Sequence, residues 1–141
     1  MKLTEHFTLE ELTRSATAAR HGIANIPNQK QLQNLGHLAE MLERIRIAWG
    51  QPIIVTSGFR CEALNKIVNG SQWSQHKTGS AADIRTLSDL PSENRRLFEM
   101  IQMMIYAGEI EVSQLIDEYD YDWVHVSLPN GKNKNKTLHL K

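Results

Sequence analysis

Residues 74 to 85 read SQHKTGSAADIR, a stretch too rich in small residues to add much to a hydrophobic core. His76 and Asp83 stand out in it, because imidazole and carboxylate groups are common metal ligands. Gly79 allows the backbone to turn between them, and the small residues at 80 to 82 keep bulk away from the space they share. The stretch therefore predicts a crowded coordination site that leads into a short strand.

Farther along the chain, DWVHVSL carries a second histidine with a carboxylate close by, since Asp122 precedes His125 by three residues. A catalytic zinc site takes three protein ligands, leaves one position for water and needs a nearby carboxylate to accept a proton. The residues that fill these roles in number and type are His76, Asp83, His125 and Asp122. Strict alternation would put Asp122 on the opposite side of a strand from His125, so this interpretation requires a bend just before the strand.

Other candidate groups have simpler explanations. We expect the remaining histidines to be surface, capping or structural residues: His6, His21, His37 and His139. Cys61 is the only cysteine, which excludes an internal disulfide and zinc sites built from several cysteines. Trp73 and Trp123 flank the proposed site in sequence and could line a groove or belong to the core. Taken alone, His76 with Asp83 would more often be a hydrogen-bonded structural turn.

The overall composition argues against several classes of function. With 141 residues and 40% hydrophobic content, the chain can bury one core, and we expect a single domain over residues 1 to 141. Sixteen basic residues balance sixteen acidic ones, which argues against nucleic acid as a partner. No apolar run approaches the ~20 residues that span a bilayer, so we expect no integral membrane segment and a protein that is cytoplasmic as synthesised.

Capping and periodicity signals predict helices in the first half and the middle of the chain. Thr8 stands three residues before Glu11, the spacing of a capping box, so a short helix begins there. From Asn28, leucines and isoleucines recur every three or four residues until Gly50, which indicates one face of an amphipathic helix. Two further helical stretches are CEALNKIV and SENRRLFEMIQMMIYA.

Strands are predicted at several places. Short apolar or alternating runs occur from Ile53 to Val55, in AADI and in WVHVSL. After WVHVSL, the turn signal Asn130-Gly131 followed by TLHLK predicts a hairpin between these two segments. Helices gathered around a few short strands favour an α+β fold.

Three segments, taken together, match a known pattern: SGFR at 57 to 60, SQHKTGSAAD at 74 to 83 and DWVHVS at 122 to 127. The pattern is SxHxxGxAxD, followed much later by an acidic residue three positions before a histidine. It resembles that of the zinc D,D-peptidases of peptidase family M15, which include D-Ala-D-Ala carboxypeptidases, D-Ala-D-Ala dipeptidases and phage L-alanyl-D-glutamate endolysins. The resemblance implies helices packed around a small, mainly antiparallel sheet, as in Hedgehog and the D,D-peptidases.

The resemblance also implies roles for individual residues. The ligands of Zn²⁺ would be His76, Asp83 and His125. Asp122, where many members carry Glu, would act as general base and then as general acid. Arg60 in SGFR would bind a peptide carbonyl or carboxylate, although on its own it could instead form a surface ion pair.

The function implied by the resemblance is hydrolysis of peptide bonds in the stem peptides of bacterial peptidoglycan. We expect a phage or prophage endolysin-type endopeptidase that works as a monomer and acts on the cell wall after release. Two alternatives stay open. One is a D-Ala-D-Ala carboxypeptidase, and the other is a catalytically silent module that binds metal or cell wall.

Overall fold

The computed structural model of the protein describes residues 1 to 131 and 134 to 140. In this part of the chain five helices and a 3₁₀ turn accompany a five-stranded sheet, which confirms the expected α+β fold with a mainly antiparallel sheet. The elements follow one another in this order: α1 (Leu9–Thr13), α2 (Ala16–Arg20), α3 (Gln29–Trp49), β1 (Ile53–Ser57), α4 (Glu62–Ile67), the 3₁₀ turn (Gln75–Thr78), β2 (Ala81–Thr86), α5 (Pro91–Tyr106), β3 (Gln114–Glu118), β4 (Trp123–Ser127) and β5 (Lys136–Leu140).

The caps confirm where the first predicted helix begins and where the long predicted helix begins and ends. The Thr8 hydroxyl accepts a hydrogen bond from the backbone N–H of Glu11, whose carboxylate accepts one from the backbone N–H of Thr8. Asn28 and Gln31 form the same reciprocal pair at the start of α3. That helix ends at Gly50, whose φ of 78° is a left-handed conformation that glycine adopts without strain.

One cluster of buried apolar residues joins α3, α5 and the sheet. Its fully buried members include Leu35, Leu38, Leu42 and Ile45 of α3, Leu97 and Ile101 of α5, and Leu115, Val124 and Val126 of the strands. Burying one such side chain contributes about 1.5–3 kcal/mol to the free energy of folding. This apolar cluster therefore stabilises the sheet that carries the predicted site residues. Of the helices in the described ranges, none is both long and apolar enough to cross a bilayer.

The strand order in the sheet is β1-β2-β4-β3-β5. The pairs among β1, β2, β4 and β3 are antiparallel, whereas β5 pairs with β3 in parallel. Asp83 of β2 lies opposite His125 of β4. On the other side of β4, Ile116 lies opposite His125 and Glu118 lies opposite Trp123. Because opposite residues on antiparallel strands share a face, the middle of the sheet presents these side chains together.

The predicted hairpin between WVHVSL and TLHLK is wrong. β4 has β2 on one side and β3 on the other, so neither of its edges can accept β5. The chain instead carries β5 to the outer edge of β3, where residues 136 to 140 pair with residues 114 to 118. Lys141, the last residue of TLHLK, lies outside the described residues.

Candidate metal centre

Two of the predicted ligands, Asp83 and His125, lie on neighbouring strands. Asp83 is on β2 and His125 is on β4, opposite one another in the register. Nδ1 of His125 is 2.9 Å from Oδ1 of Asp83, and both residues are buried. Strand pairing therefore brings together two side chains that are 42 positions apart in the sequence.

The third predicted ligand, His76, lies in the 3₁₀ turn before β2. The Ser74 hydroxyl accepts a hydrogen bond from the backbone N–H of His76, and the turn ends at Gly79 with a φ of 77°. A Cβ at Gly79 would lie 2.7 Å from the backbone oxygen of Gln31. Any other residue here would therefore clash with Gln31 and would also be strained by the left-handed backbone angle. The turn directs His76 towards Asp83, with Nε2 3.4 Å from Oδ1.

A second hydrogen bond fixes the orientation of the His76 ring. Its Nδ1 lies 2.7 Å from the carbonyl oxygen of Gly58 in the SGFR segment. A carbonyl oxygen can only accept a hydrogen bond, so Nδ1 is the donor to Gly58, and Nε2 is the ring nitrogen that faces Asp83. Histidines that bind metals are commonly oriented in this way.

The three side chains fit a zinc ion in kind, number and spacing. Each offers one ligand atom, and these atoms lie within 4.8 Å of one another. Ligands about 2.1 Å from a tetrahedral zinc ion are about 3.4 Å apart, which is close to the distances from Asp83 to the two rings. Two imidazoles and one carboxylate leave a fourth position open, as catalytic zinc sites do.

The charge of Asp83 also suits a cation. Burial by itself raises the pKa of this carboxyl, but hydrogen bonds from His125 and His76 outweigh the burial and hold the pKa well below its usual range. Asp83 is therefore a carboxylate at neutral pH. Imidazole and carboxylate together are a ligand set that binds divalent zinc.

The three residues lie in an open cleft of about 1140 Å³. Its lining extends over most of the chain, from Arg14 before α2 to Leu140 on β5. The volume is above the ~300–1000 Å³ of pockets for small ligands, so the cleft has room for an extended peptide. Trp73 and Trp123 both line it, and Trp73 is 83% exposed.

The structure places Arg60 in the same cleft. Its Nη1 donates a hydrogen bond of 3.1 Å to Oδ1 of Asn65, and its Nε is buried without a hydrogen-bond partner among the described residues. Burial lowers the pKa of the guanidinium, whereas the charges of Asp83 and Glu118 act in the opposite direction. The group stays cationic at neutral pH and can donate to a carbonyl or carboxylate of a peptide.

Asp122, the predicted general base, does not line this cleft. It is exposed, at the end of the turn that joins β3 and β4, and it lines a smaller neighbouring cavity of about 390 Å³. The backbone does bend before β4, because residues 119 to 121 have φ values of 53°, 55° and 66°. The structure thus provides the required bend but does not bring Asp122 into the cleft, and its catalytic role stays a prediction.

A carboxylate that the motif spacing does not indicate lines the cleft instead. Glu118 is the last residue of β3, and its side chain is 17% exposed. Its Oε2 accepts a hydrogen bond of 2.9 Å from the indole N–H of Trp123 and lies 3.9 Å from Nδ1 of His125. The signal that could have identified it is the pairing of QLIDE with WVHVS, which places Glu118 on the face of His125.

Comparison with known proteins adds one finding to this geometry. The model of a protein family described as Peptidase M15 matches residues 5 to 127. That range covers most of the chain and includes the metal-site residues, Arg60, Glu118 and Asp122. No curated protein matches the chain.

Proposed function

The chain belongs to the peptidase M15 family, a family of metallopeptidases, and on this premise we propose that it hydrolyses the stem peptides of bacterial peptidoglycan with zinc as its metal. The finer assignment within the proposal is an endolysin-type endopeptidase of a phage or prophage. It would be synthesised in the cytoplasm, work as a monomer and act on the cell wall after release.

One observation carries the proposal, the convergence of two histidines and one aspartate in an open cleft. The ligand atoms of His76, Asp83 and His125 lie within 4.8 Å of one another. Structural zinc sites have four protein ligands and are closed, whereas this group has three and lies in a cleft with room for a peptide. The ligand set and its surroundings therefore support hydrolysis over a purely structural role.

Different residues of the chain would have different roles in the reaction. When bound, zinc would act as a Lewis acid that polarises the scissile carbonyl and lowers the pKa of an attacking water. The hydrogen bond from His76 to Gly58 and the pairing of Asp83 with His125 keep the ligand atoms in place before binding. Arg60 would bind a carbonyl or carboxylate of the peptide and orient the bond to be cut. A carboxylate would accept a proton from water and pass it to the leaving amine.

Digestion of purified peptidoglycan, followed by mass spectrometry of the new termini, tests the proposal. We expect new amino termini within the stem peptide from the unsubstituted protein and none from Asp83→Asn, which removes a charged ligand. Glu111→Gln is the matched control, because Glu111 is exposed and pairs with Lys134 outside the cleft.

The same digestion separates the alternatives. Free D-Ala as the only product would identify a D-Ala-D-Ala carboxypeptidase. Zinc binding without hydrolysis of several peptidoglycan types would contradict an enzymatic function and leave a module that binds metal or cell wall.

A further inference from the structure

We propose that Glu118, rather than Asp122, is the general base that accepts a proton from the attacking water. The inference rests on the proposed peptidase function and names the carboxylate which that function requires. Motif spacing indicates Asp122, whereas the arrangement of the strands indicates Glu118.

The register of the sheet places Glu118 on the side of the metal centre. Along β3, Ile116 lies opposite His125 and Glu118 lies opposite Trp123. Opposite residues on antiparallel strands share a face, and so do alternate residues along one strand. Glu118 and His125 therefore project from the same face, into the cleft that both of them line.

Glu118 lies next to the ligands without being one of them. Its Oε2 is 3.9 Å from Nδ1 of His125, which is too long for a hydrogen bond. The indole of Trp123 holds the same oxygen at 2.9 Å, so the carboxylate has a defined position. A general base has to lie beside the metal ligands without being one of them, and Glu118 has this position.

The electrostatics of the cleft connect Glu118 with the residue that would bind the substrate. The charges of Asp83 and Glu118 both act on the guanidinium of Arg60. A peptide bound by Arg60 is therefore held near Glu118.

Hydrogen bonds to the backbone hold Asp122 in the turn between β3 and β4. Its N–H donates a hydrogen bond of 3.1 Å to the carbonyl oxygen of Glu118, which closes the turn. The buried side chain of Asn94 on α5 donates from Nδ2 to the carbonyl oxygens of Tyr121 and Asp122, at 2.9 and 3.2 Å. A backbone movement of Asp122 towards the metal centre would break these bonds.

The proton transfer balances with Glu118 as the only acid–base group. Its carboxylate takes one proton from water as the water oxygen bonds to the carbonyl carbon of the scissile peptide. The same proton then moves to the amide nitrogen as the C–N bond breaks. An amine and a carboxylic acid leave, and Glu118 is again a carboxylate.

Two isosteric substitutions, one at Glu118 and one at Asp122, show which of the two carboxylates is the general base. We expect Glu118→Gln to lower kcat on stem peptides by about 10²–10⁴-fold, and Asp122→Asn to cause a loss at least about tenfold smaller. Asp120→Asn is the control, since Asp120 is exposed in the same turn and asparagine tolerates its φ of 55°. Elemental analysis and calorimetric binding of the stem peptide should give the same zinc content and the same peptide affinity for Glu118→Gln as for the unsubstituted protein.

A larger loss of kcat in Asp122→Asn than in Glu118→Gln would overturn the assignment. Loss of zinc or of peptide binding in Glu118→Gln would also overturn it, because Glu118 would then support the metal site and not act as the base. If the unsubstituted protein hydrolyses no stem peptide, the proposed function fails and this inference fails with it. Full activity in both the unsubstituted protein and Glu118→Gln would reject the inference alone.

Discussion

Gly70 shows how closely the proposed substrate-binding arginine is packed. A Cβ at this position would lie 2.0 Å from Oδ1 of Asn65 and 2.7 Å from Nη1 of Arg60. These two atoms form the hydrogen bond that holds the guanidinium. Both belong to side chains, so an added methyl group would displace the pair and leave the backbone in place. The missing side chain at Gly70 thus determines where Arg60 points.

Gly70→Ala should therefore weaken substrate binding without affecting the metal. We expect KM for stem peptides to rise about tenfold or more, since a hydrogen bond of a charged group is disturbed, while zinc content stays unchanged. Gly36→Ala is the matched control, because a Cβ at Gly36 meets nothing within 4 Å. Steady-state kinetics and elemental analysis measure both quantities, and an unaltered KM would argue against a role for Arg60 in binding.

The site residues differ in how far the sequence alone can predict them. His76 and Asp83 are joined by one turn and the start of one strand, so their spacing is a local property that the motif records. The position of Glu118 depends on the pairing of β3 with β4, which the spacing of residues does not express. Asp122 lines an adjoining cavity, which has Asp83 in common with the cleft.

Among the secondary-structure elements, the helices follow from local signals, whereas β3 and the pairing of β5 do not. β3 reads QLIDE and places Asp117 at a position that is only 4% exposed, where a half-buried strand would normally carry an apolar residue. β5 is largely exposed, so its sequence pattern does not indicate a partner. Caps and periodicity act within one segment, whereas strand pairing depends on which sheet edge is free.

The buried carboxylate of β3 also explains how β5 is attached. Nδ1 of His139 hydrogen-bonds Oδ2 of Asp117 across the parallel pair. The His139 ring lies 5.4 Å from that of Phe98 on α5, measured between ring centroids. This contact joins the outermost strand to the helix behind the sheet and is consistent with a structural role for His139.

Removing the imidazole should weaken the whole fold through Asp117. We expect His139→Ala to lower the free energy of unfolding by about 1–3 kcal/mol, because a buried carboxylate loses its partner. Adding Asp117→Ala should restore part of that loss, since deleting both partners costs less than deleting one. Chemical denaturation of the single and double variants measures this, and a single variant as stable as the unsubstituted protein would contradict the prediction.

In the molecule as a whole, the metal centre connects parts of the chain that are distant in sequence. The three ligand positions belong to the 3₁₀ turn, β2 and β4. In an unfolded chain these residues are far apart, so the ion would bind mainly to the folded state. Such a ligand raises stability in proportion to the logarithm of its concentration over its dissociation constant.

Zinc removal should therefore lower the melting temperature. At zinc concentrations about 1,000-fold above Kd, binding adds about 4 kcal/mol, and a chelator should lower Tm by roughly 10 °C in scanning calorimetry. His76→Ala and His125→Ala should bind no zinc by elemental analysis and show no response of Tm to the chelator. His37→Ala is the control, since its side chain is 70% exposed. Full zinc occupancy in both ligand variants would show that the ligand assignment is incorrect.

The turn between β3 and β4 limits how far the thermal stability of this protein can be increased. Three successive residues that are not glycine, at 119 to 121, hold left-handed backbone angles, and each costs about 1–2 kcal/mol more there than in a right-handed conformation. Glycine at these positions would relieve that strain and favour heat tolerance. It would also loosen the spacing between Glu118 and Trp123, so with Glu118 as the proposed general base we expect thermostability and catalysis to compete at this turn.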